Sequence, residues 1–600
     1  MPLDLLADST DLTPSMAAHL LRRATFGVPK STIDHFANNL TLGDAIKELF
    51  PEAPLPEPPI PLDPATNAEW ITAGPTGDRE DGELQDFFKG WFIGQMAATD
   101  IDPTIAPAYS AREKIVYFLH THFTCIQSKV SSAQAMYYQN QLFRLFALDS
   151  YSTIPDANFK TLTVKVSVDN AMLRLLDGDL NVKGSVNENY ARELLELYSI
   201  GRGLEFDPPP TSGAEGDYGV YTEADVQTAA RILTGWQFDD TFATKDDDTL
   251  LPRGKVKGSE TNASAHDNDT AKPKQFSARF VSTLFPNNII EADPTLMPGG
   301  VPTEESALDE IKKLIDLIYE QPETAKNICR KIYRFFVWAP HAKDETLASE
   351  TIIAQMAEEF LANDFKIQPV IESLLKSKHF YEFEGTTDKG DDNFGALIKS
   401  PLDLMLGTIR FFDVKFPEMN TQAFYDAAKL LVDAAEPMAM KFYEPYDVSG
   451  YEAYHQFPIY HRAWITTNSI GHRYDFIRQL FPPDFEGTNF PFKVDSRAFV
   501  SANFSGDAPD ANNLLKAVLE YMLPHHERLV LDPLADDTQA SLTNARVLYF
   551  KNQFLSSISM DPDYWTKSWN GTIVTSQDDL RLWLNMLFNN VLQSPEFQLS

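Results

Sequence analysis

The sequence predicts a mainly α-helical protein: a large multi-helix body with long irregular loops and little β-structure. Two observations predict this class. Apolar residues recur at helical spacing behind capping residues along most of the chain, and several stretches between them are rich in proline or are polar and aperiodic. A hydrophobic content of 43% with 12% aromatic residues is also sufficient for a sizeable core.

The N-terminal part of the chain contains the first predicted helices and one extended segment. Thr13 and Pro14 begin a helix that Gly27 ends. Residues 51–64, PEAPLPEPPIPLDP, contain seven prolines, which remove backbone donors and favour extended backbone. We therefore predict a linker or a surface strap there. Helical spacing returns in residues 111–124, AREKIVYFLHTHFT.

Further helices are predicted on both sides of a long loop. Residues 240–275 are polar and lack apolar periodicity, which predicts the loop. Capping boxes begin two helices, one at Thr222 with Asp225 and one at Ser400 with Asp403. Apolar spacing predicts three more helices, at 304–320, 323–338 and 577–593.

The length of the chain bears on its domain organisation. At about 150 residues per domain, a chain of 600 residues is expected to form roughly two to four structural units. We predict a helical body over residues 1–480. Because the pattern becomes looser after it, we predict an accessory C-terminal region of helical and irregular structure over residues 481–600.

Charge and composition argue against several classes of function. The net charge of −35 repels phosphate backbones and no lysine- or arginine-rich run offers an exception, so we expect no nucleic-acid partner. No stretch approaches the ~18 uninterrupted apolar residues of a membrane span, and no signal peptide is visible at the start of the chain. Two cysteines, Cys125 and Cys329, exclude a multi-thiolate zinc site, while one disulfide between them stays open.

The stretch NENYARELLELYSIG, residues 187–201, separates into two faces on a helical wheel. Apolar side chains take one arc, and Glu188, Arg192 and Glu196 run along the other with Glu193 beside them. One interpretation is a solvated ladder of ion pairs, each contributing about 0.3–0.5 kcal/mol. The alternative is a covered face on which Arg192 keeps carboxylates ionised to bind a metal or orient a base. We predict that this face is covered and lies against the FLHTHF helix.

Two histidine-containing stretches offer further candidates. In FLHTHF, His120 and His122 lie about 200° apart on a continuous helix, and the apolar spacing places His122 on the buried face and His120 off it. A buried His122 is either a hydrogen-bonded core residue or a metal ligand. His266 and Asp267 lie in the long loop, where the alternatives are an exposed polar turn and a functional loop.

Aromatic residues cluster between positions 448 and 464. Aromatic rings bind the apolar faces of sugars and also pack well in protein cores, so a binding groove and core packing both stay open. The candidate binding residues are Tyr451, Tyr454, His455, Tyr460 and Trp464.

Several familiar catalytic signatures are absent from the sequence. It contains no G-x-x-x-x-G-K-[ST], no G-x-G-x-x-G, no H-E-x-x-H and no G-x-S-x-G. The sequence therefore lacks the usual motifs of phosphate-binding loops, of zincin metalloproteases and of α/β-hydrolases.

A series of sequence blocks resembles one known family. The most specific are NENYARELLELYSIG and DVQTAARILTGW, residues 225–236. The other blocks are HLLRRATFG (19–27), IVYFLHTHF (115–123), His266-Asp267, KQF (274–276), ICRKIYRFFVW (328–338), SLLKSKHFY (373–381), IKSPLDL (398–404) and the region 450–473. In this order, and over most of its length, the chain resembles the large bacterial DUF1800 family.

The resemblance implies a mostly helical fold but no reaction. Members of the family are commonly exported, and their genes often lie beside those of DUF1501 proteins, which resemble the alkaline phosphatase and sulfatase superfamily. The compartment stays open, because no signal peptide is visible here. The family pattern includes the polar residues of NENYARELLELYSIG, which favours a specific role for them.

Two functions from different classes stay open. The first is a metal-assisted enzyme, a hydrolase or oxidoreductase, with a His/Glu/Arg site between helices that binds a divalent metal ion. Its metal ligands would be His122, Glu188 and His266. Its catalytic residues would be Glu193, Arg192 and Asp267. The second is a non-catalytic binding or assembly protein, which acts with a DUF1501-like partner or binds glycan or peptide on the aromatic cluster.

Overall fold

Helices dominate the structure, and several begin at side chains that accept a hydrogen bond from the first turn. A computed structural model describes residues 3–75, 79–150, 154, 156–204, 207–269, 271–339, 348–381, 395–446, 448–449, 451, 460–524, 529–538 and 542–600. Thr13, Thr222 and Ser400 each accept from the backbone N–H three residues later, as their patterns predict. The predicted mainly α-helical class is confirmed.

The α-helices are described here in three stretches of the chain. Before residue 150 they are α1 (Pro14–Ala24), α2 (Lys30–Asn39), α3 (Leu42–Leu49), α4 (Trp70–Ala73), α5 (Asp81–Met96), α6 (Ala106–His122), α7 (Gln127–Val130) and α8 (Ala133–Leu145). Between residues 156 and 381 they are α9 (Phe159–Ser167), α10 (Asn170–Leu175), α11 (Asn189–Glu193), α12 (Glu223–Ile232), α13 (Glu304–Tyr319), α14 (Pro322–Phe336), α15 (Ala354–Ala362) and α16 (Ile367–Lys376). After residue 395 they are α17 (Pro401–Phe411), α18 (Gln422–Ala435), α19 (Ser469–Leu480), α20 (Ser496–Asn503), α21 (Ala511–Met522), α22 (Asn544–Leu555), α23 (Pro562–Trp569) and α24 (Gln577–Leu592).

Among the described residues, the four named strands are short and lie in and around the long loop. The strands are β1 (Trp236–Gln237), β2 (Lys255–Val256), β3 (Lys274–Gln275) and β4 (Ile289–Ile290). β1 pairs with β2 and β3 with β4, both antiparallel, with Trp236 opposite Val256 and Lys274 opposite Ile290. The first pair folds the middle of the loop of residues 240–275 back onto β1, and the second joins the end of this loop to residues 289–290.

α6 is a central helix of the body. All of its side chains from Pro107 to His122 are buried, because α1, α3, α5, α8 and α14 pack around it. The prediction that His120 lies off the buried face is therefore wrong: its exposed fraction is 0%. A helix covered on all sides buries its polar residues whatever face they occupy.

A buried ion network ties α6 to α8. Nε of Arg112 and Nε of Arg144 each donate to Oε1 of Glu113 at 2.9 Å. Burial alone would raise the pKa of Glu113, but the charges of Arg144 and Arg112 hold it below its ordinary value. The same Arg112 donates from Nη1 to the carbonyl of Pro56 at 3.0 Å, so the proline-rich segment 51–64 lies as a non-helical strap over this network.

Buried apolar residues form one cluster that runs from Leu3 to Phe597. α1 packs against α21, and Arg22 donates from Nη2 to the carbonyl of Tyr521 at 2.8 Å. The last residues return to the body, where Ile398 pairs with Leu599. The division of the chain at residue 480 stays a prediction, and the contacts across it are extensive.

The structure bears on the two cysteines and on membrane-spanning helices. Cys125 and Cys329 are both buried free thiols, so the disulfide that the sequence left open is not formed. None of the helices in the described parts of the chain combines the length and the apolar character that crossing a membrane requires.

Candidate functional site

The stretch of residues 187–201, which we call the motif segment, is helical without being a regular α-helix. α11 passes directly into a π turn, Leu194–Tyr198. Gly201, with φ of 71°, closes this turn by donating its N–H to the carbonyl of Leu195 at 2.8 Å. π turns within helices are frequent at functional sites. The motif segment is therefore the starting point for the candidate site.

Three carbonyl oxygens at the end of the π turn are bonded by buried side chains of other helices. The pairs are Lys331 Nζ with Leu197, His122 Nε2 with Tyr198 at 3.0 Å, and Asn327 Nδ2 with Ser199 at 2.7 Å. His122 is the last residue of α6, and the other two donors lie on α14. The motif segment is thereby joined to α6 and α14. The carbonyls at a helix end lack helical partners, and these side chains supply them.

The hydrogen bond of His122 defines its protonation state. A carbonyl oxygen can only accept, so Nε2 of His122 carries the hydrogen. Burial and the nearby charge of Lys331 hold the pKa of His122 well below its ordinary value, so the ring is neutral. Nε2 is not open to a metal ion while this bond is made.

The charged face of the motif segment pairs with α12, and the prediction that it is covered by α6 is not met. Arg192 donates to both carboxylate oxygens of Glu223, at 2.9 and 2.5 Å, and to Glu188 at 3.3 Å. The side chains of these three residues are between 28% and 36% exposed, so the face is half-buried. An amphipathic pattern identifies the polar face of a helix but not the element that lies beside it.

The carboxylates beside Arg192 have pKa values shifted in opposite directions. The hydrogen bonds from Arg192 lower the pKa of Glu223 to about 2. Partial burial and the neighbouring Glu223 raise the pKa of Glu188. Glu196 forms a separate pair with Arg202 at 2.5 Å, and Glu193 is half-buried. The group behaves as an ion-pair network in which Arg192 is the central cation.

His266 and Asp267 belong to a second polar group at the other end of α12. Nε2 of His266 lies 2.9 Å from Oε2 of Glu310, and its Nδ1 lies 2.9 Å from the carbonyl of Thr234. Asp267 accepts from Nε of Arg231 at 2.7 Å. The predicted exposed polar turn is thus excluded for His266, which is 2% exposed.

Lys274 completes this second group. It donates to the same Oε2 of Glu310 as His266 does. Burial alone would raise the pKa of Glu310, but its bonds to His266 and Lys274 lower it. Burial lowers the pKa of Lys274. The carboxylate is therefore held ionised between two donors, which is the arrangement that a buried charge needs.

The predicted metal ligands are not brought together. Glu223 belongs to the group around Arg192, and Arg231 belongs to the group around His266. They lie at opposite ends of α12, about 12 Å apart at 1.5 Å per residue. His122 is bonded to the π turn, Glu188 to Arg192 and His266 to Glu310. Within the described parts of the chain, no three His, Cys, Asp or Glu side chains are grouped to hold a metal ion.

The aromatic cluster can be followed only in part. Tyr454 and His455 lie outside the described residues, and so does the side chain of Tyr460. Tyr451 is 2% exposed and its hydroxyl lies 3.2 Å from Nε2 of His120, while Trp464 is 1% exposed. These two rings pack in the core, so they offer no open platform to a glycan or a peptide.

An open cleft of about 670 Å³ lies at the end of the motif segment. Ile200 and Leu204 form part of one wall, and Pro322, Lys326 and Arg330 of α14 form part of another. The remaining lining residues are Gly203, Asp207, Pro209, Gly219, Val220, Ala278, Arg279, Gln321, Glu323 and Ala354. The cleft thus begins where the bonded carbonyls of the π turn end.

Charges in the cleft are largely balanced. Arg279 pairs with Asp217 at 2.5 Å, and Arg330 pairs with Glu323 at 3.0 Å. Lys326, which also lines the cleft, forms no ion pair with a described residue. The cleft is close to neutral, in contrast to the net charge of −35 of the whole chain.

Comparison with known proteins identifies the family. The model of a family described as a protein of unknown function (DUF1800) matches residues 19–599. The chain belongs to this family. No curated protein and no solved structure shows a significant match to it. The match includes residues 481–599, the part of the chain that is predicted to form an accessory region.

Sequence reasoning missed several residues of this site. Lys331 and Asn327, which bond the π turn, lie in the helix predicted over 323–338, and the apolar spacing that predicts this helix gives no role to its polar residues. Glu310 lies on α13, which was predicted only as an amphipathic helix. The one sequence signal for Lys331 was a cation at a position that the apolar spacing of its helix places against the core. The cleft residues carry no sequence pattern of their own.

Proposed function

We propose that this DUF1800 protein is a non-catalytic binding or assembly protein that takes an extended peptide segment of a partner protein into the cleft. The observation that carries the proposal is the cleft itself, which is large, open and nearly neutral and lies directly beside the motif segment. Peptide ligands are bound by apolar contacts together with a few polar groups that fix their orientation.

The lining of the cleft suits a peptide better than other ligands. Leu204, Val220 and Ala278 offer apolar contacts, and Lys326 offers a cation that forms no ion pair with a described residue. Glycan sites commonly use aromatic platforms, and the described lining contains no aromatic ring. A nucleic acid would need a net positive surface, which the paired arginines do not provide.

The polar residues of the motif segment support a structural role beside this cleft. Arg192 is engaged by Glu188 and Glu223, and His122 is engaged by Tyr198. The bonds of Arg192 join α11 to α12, and the bond of His122 holds the end of the π turn, which leads into the cleft wall at Ile200. The family pattern would then specify the geometry of a binding surface rather than a set of reacting groups.

The test uses an array of short random peptides probed with the labelled full-length protein. Ala278, which is exposed and lines the cleft, is changed to Trp to fill it. Ala243 is also exposed but lies outside the cleft, so Ala243→Trp is the matched control. We expect wild type and control to bind a shared set of peptides, and Ala278→Trp to bind them at least about tenfold more weakly.

Three results would contradict the proposal. One is the absence of peptide binding above background, and another is equal binding by Ala278→Trp. The third is selective binding of an oligosaccharide array that Ala278→Trp abolishes, which would assign the cleft to glycans. A DUF1501-like protein, which the family resemblance implies, is the first partner to test by co-purification with the same variants.

The metal-assisted enzyme remains the competing candidate, and elemental analysis of the purified protein separates the two. A stoichiometric metal ion that is lost in His122→Ala, Glu188→Ala and His266→Ala would favour the enzyme, because one site would then need all three residues. Under the binding proposal, no stoichiometric metal is lost in these variants.

A further inference from the structure

A second pocket, of about 460 Å³, lies away from the cleft. It is enclosed by the turn between α1 and α2, the connection between α5 and α6, and the end of α17. Its apolar lining includes Val28, Ile101, Pro107, Val414 and Phe416. A pocket of this size and character is typical of small-molecule sites.

Arg410 of α17 lines this pocket and is itself 7% exposed. Its Nη1 donates to the hydroxyl of Ser110 at 2.6 Å and to the carbonyl of Met96 at 3.4 Å, both of which are neutral groups. No carboxylate of the described residues lies within ion-pairing distance of Arg410. Burial lowers the pKa of Arg410 to about 10, and the charge of Asp413 opposes this shift only from beyond ion-pairing distance. A buried cation without a direct ionic partner is costly, and an anionic ligand would supply that partner.

Thr99 gives an independent indication of a ligand. It lines the same pocket and is 9% exposed, and its hydroxyl has no hydrogen-bond partner among the described residues. Buried hydroxyl groups are rarely left without a partner. Its neighbours Ala98 and Asp100 have φ values of 49° and 59°, so both hold a backbone conformation that non-glycine residues adopt at a cost.

The charges around the pocket select the kind of anion. Asp100 and Asp413 are exposed at its rim, and Lys415 is paired with Asp413 at 2.5 Å. The rim carboxylates repel a dianion such as phosphate more strongly than a singly charged group. The planar guanidinium of Arg410 also matches the geometry of a carboxylate.

We infer that this pocket binds a small organic carboxylate, with the carboxylate on Arg410, the carbon skeleton against the apolar walls and a polar substituent on Thr99. This site is independent of the cleft, because none of its lining residues is shared with it. Failure of one proposal therefore leaves the other in place.

The experiment measures binding of a panel of small acids to the full-length protein by thermal shift and by titration calorimetry. The panel contains the singly charged acids butyrate, 3-hydroxybutyrate and phenylacetate, the neutral amide of each, and inorganic phosphate, all at constant ionic strength. We expect saturable stabilisation by at least one carboxylate and none by its amide. Stabilisation by inorganic phosphate alone, or by no member of the panel, would overturn the inference.

Variants of the lining residues then test whether the acid binds in this pocket. Arg410→Gln should weaken binding at least about tenfold, because a charge-assisted bond is lost. Thr99→Val should weaken the binding of hydroxylated acids more than the binding of phenylacetate. Ala106→Phe, at the pocket edge, should block binding even if Arg410→Gln does not fold. Arg478→Gln changes an exposed arginine elsewhere and should bind like wild type. Equal binding by Ala106→Phe and wild type would overturn the assignment.

Discussion

Nε2 of His122 donates a hydrogen bond to the carbonyl oxygen of Tyr198 at 3.0 Å, and this bond joins the end of α6 to the end of the π turn. The two residues are 76 positions apart in the chain. The ring of His122 is buried and neutral. The bond therefore assigns to His122 a structural role at the motif segment.

The first prediction removes this bond while keeping an aromatic ring in place. His122→Phe leaves the buried carbonyl of Tyr198 without its donor, which should lower the free energy of unfolding by about 1–3 kcal/mol. Urea denaturation measures the change. His35→Gln is the control, because the His35 side chain is 44% exposed and a glutamine amide can still donate to Glu48, so stability should change by no more than about 0.5 kcal/mol. Unchanged stability of His122→Phe together with loss of a bound metal would assign His122 to a metal site instead.

The second prediction concerns Lys331, which bonds the neighbouring carbonyl. Burial, with the charges of Arg334 and Arg330, lowers the pKa of Lys331 from its ordinary 10.5 to about 7. Between these two values the unfolded chain binds a proton that the folded chain does not, so the free energy of unfolding gains a contribution that increases with pH. Below about pH 7 both states are protonated and the contribution no longer changes.

The variant Lys331→Met removes this contribution. The free energy of unfolding of the wild type, minus that of Lys331→Met, should rise between about pH 7 and about pH 9, by at most about 1.4 kcal/mol per pH unit. Urea denaturation of both proteins at a series of pH values gives the difference. A difference that does not vary with pH would show that Lys331 titrates alike in the folded and unfolded states.

The third prediction concerns the ion pair between the motif segment and α12. Hydrogen bonds from Arg192 lower the pKa of Glu223 from 4.5 to about 2, so the pair stabilises the fold above about pH 4.5 and loses this effect as the pH falls towards 2. Because both side chains are partly exposed, Glu223→Gln should cost only about 1 kcal/mol or less near neutral pH.

A matched control exists for Glu223→Gln. Glu305 also lies in the first turn of a helix, but it is exposed and forms no ion pair with a described residue. Glu305→Gln should therefore change stability by less than Glu223→Gln does when both are measured by urea denaturation at neutral pH. Equal costs would mean that Glu223 acts only through its position at a helix N-terminus, not through Arg192.

The sequence allowed the fold class and many helix boundaries to be predicted, because caps and apolar spacing are local signals. Thr13, Thr222 and Ser400 cap helices as their patterns indicate. The π turn was not predicted, since it depends on donors far away in the chain: Lys331 is 134 residues from Leu197. Local periodicity contains no information about such contacts.

The same limit applies to the candidate site. The helical wheel correctly separated Glu188 and Arg192 from the apolar side of the motif segment, yet their partner proved to be Glu223 of α12. The choice between two neighbouring helices is made by tertiary packing. Sequence spacing could therefore identify polar residues with specific bonds, but not whether His122, Glu188 and His266 meet at one point.

The last prediction tests whether the geometry of the π turn depends on Gly201. This glycine has a φ of 71°, and a Cβ atom there would lie 2.8 Å from the side-chain amide of Asn327, which bonds the carbonyl of Ser199. Gly201→Ala should therefore incur both the cost of a left-handed alanine, about 1 kcal/mol, and the loss of the Asn327 bond, a further 1–2 kcal/mol or so.

Gly213→Ala isolates the first of these costs. Gly213 has a φ of 77°, and a Cβ atom added there would have no described neighbour within 4 Å, so its replacement strains the backbone without displacing a neighbour. Urea denaturation of the two variants should show Gly201→Ala to be the less stable by about 1–2 kcal/mol. If the two variants lose the same stability, Asn327 can move aside at no cost, and its bond to Ser199 does not hold the π turn in shape.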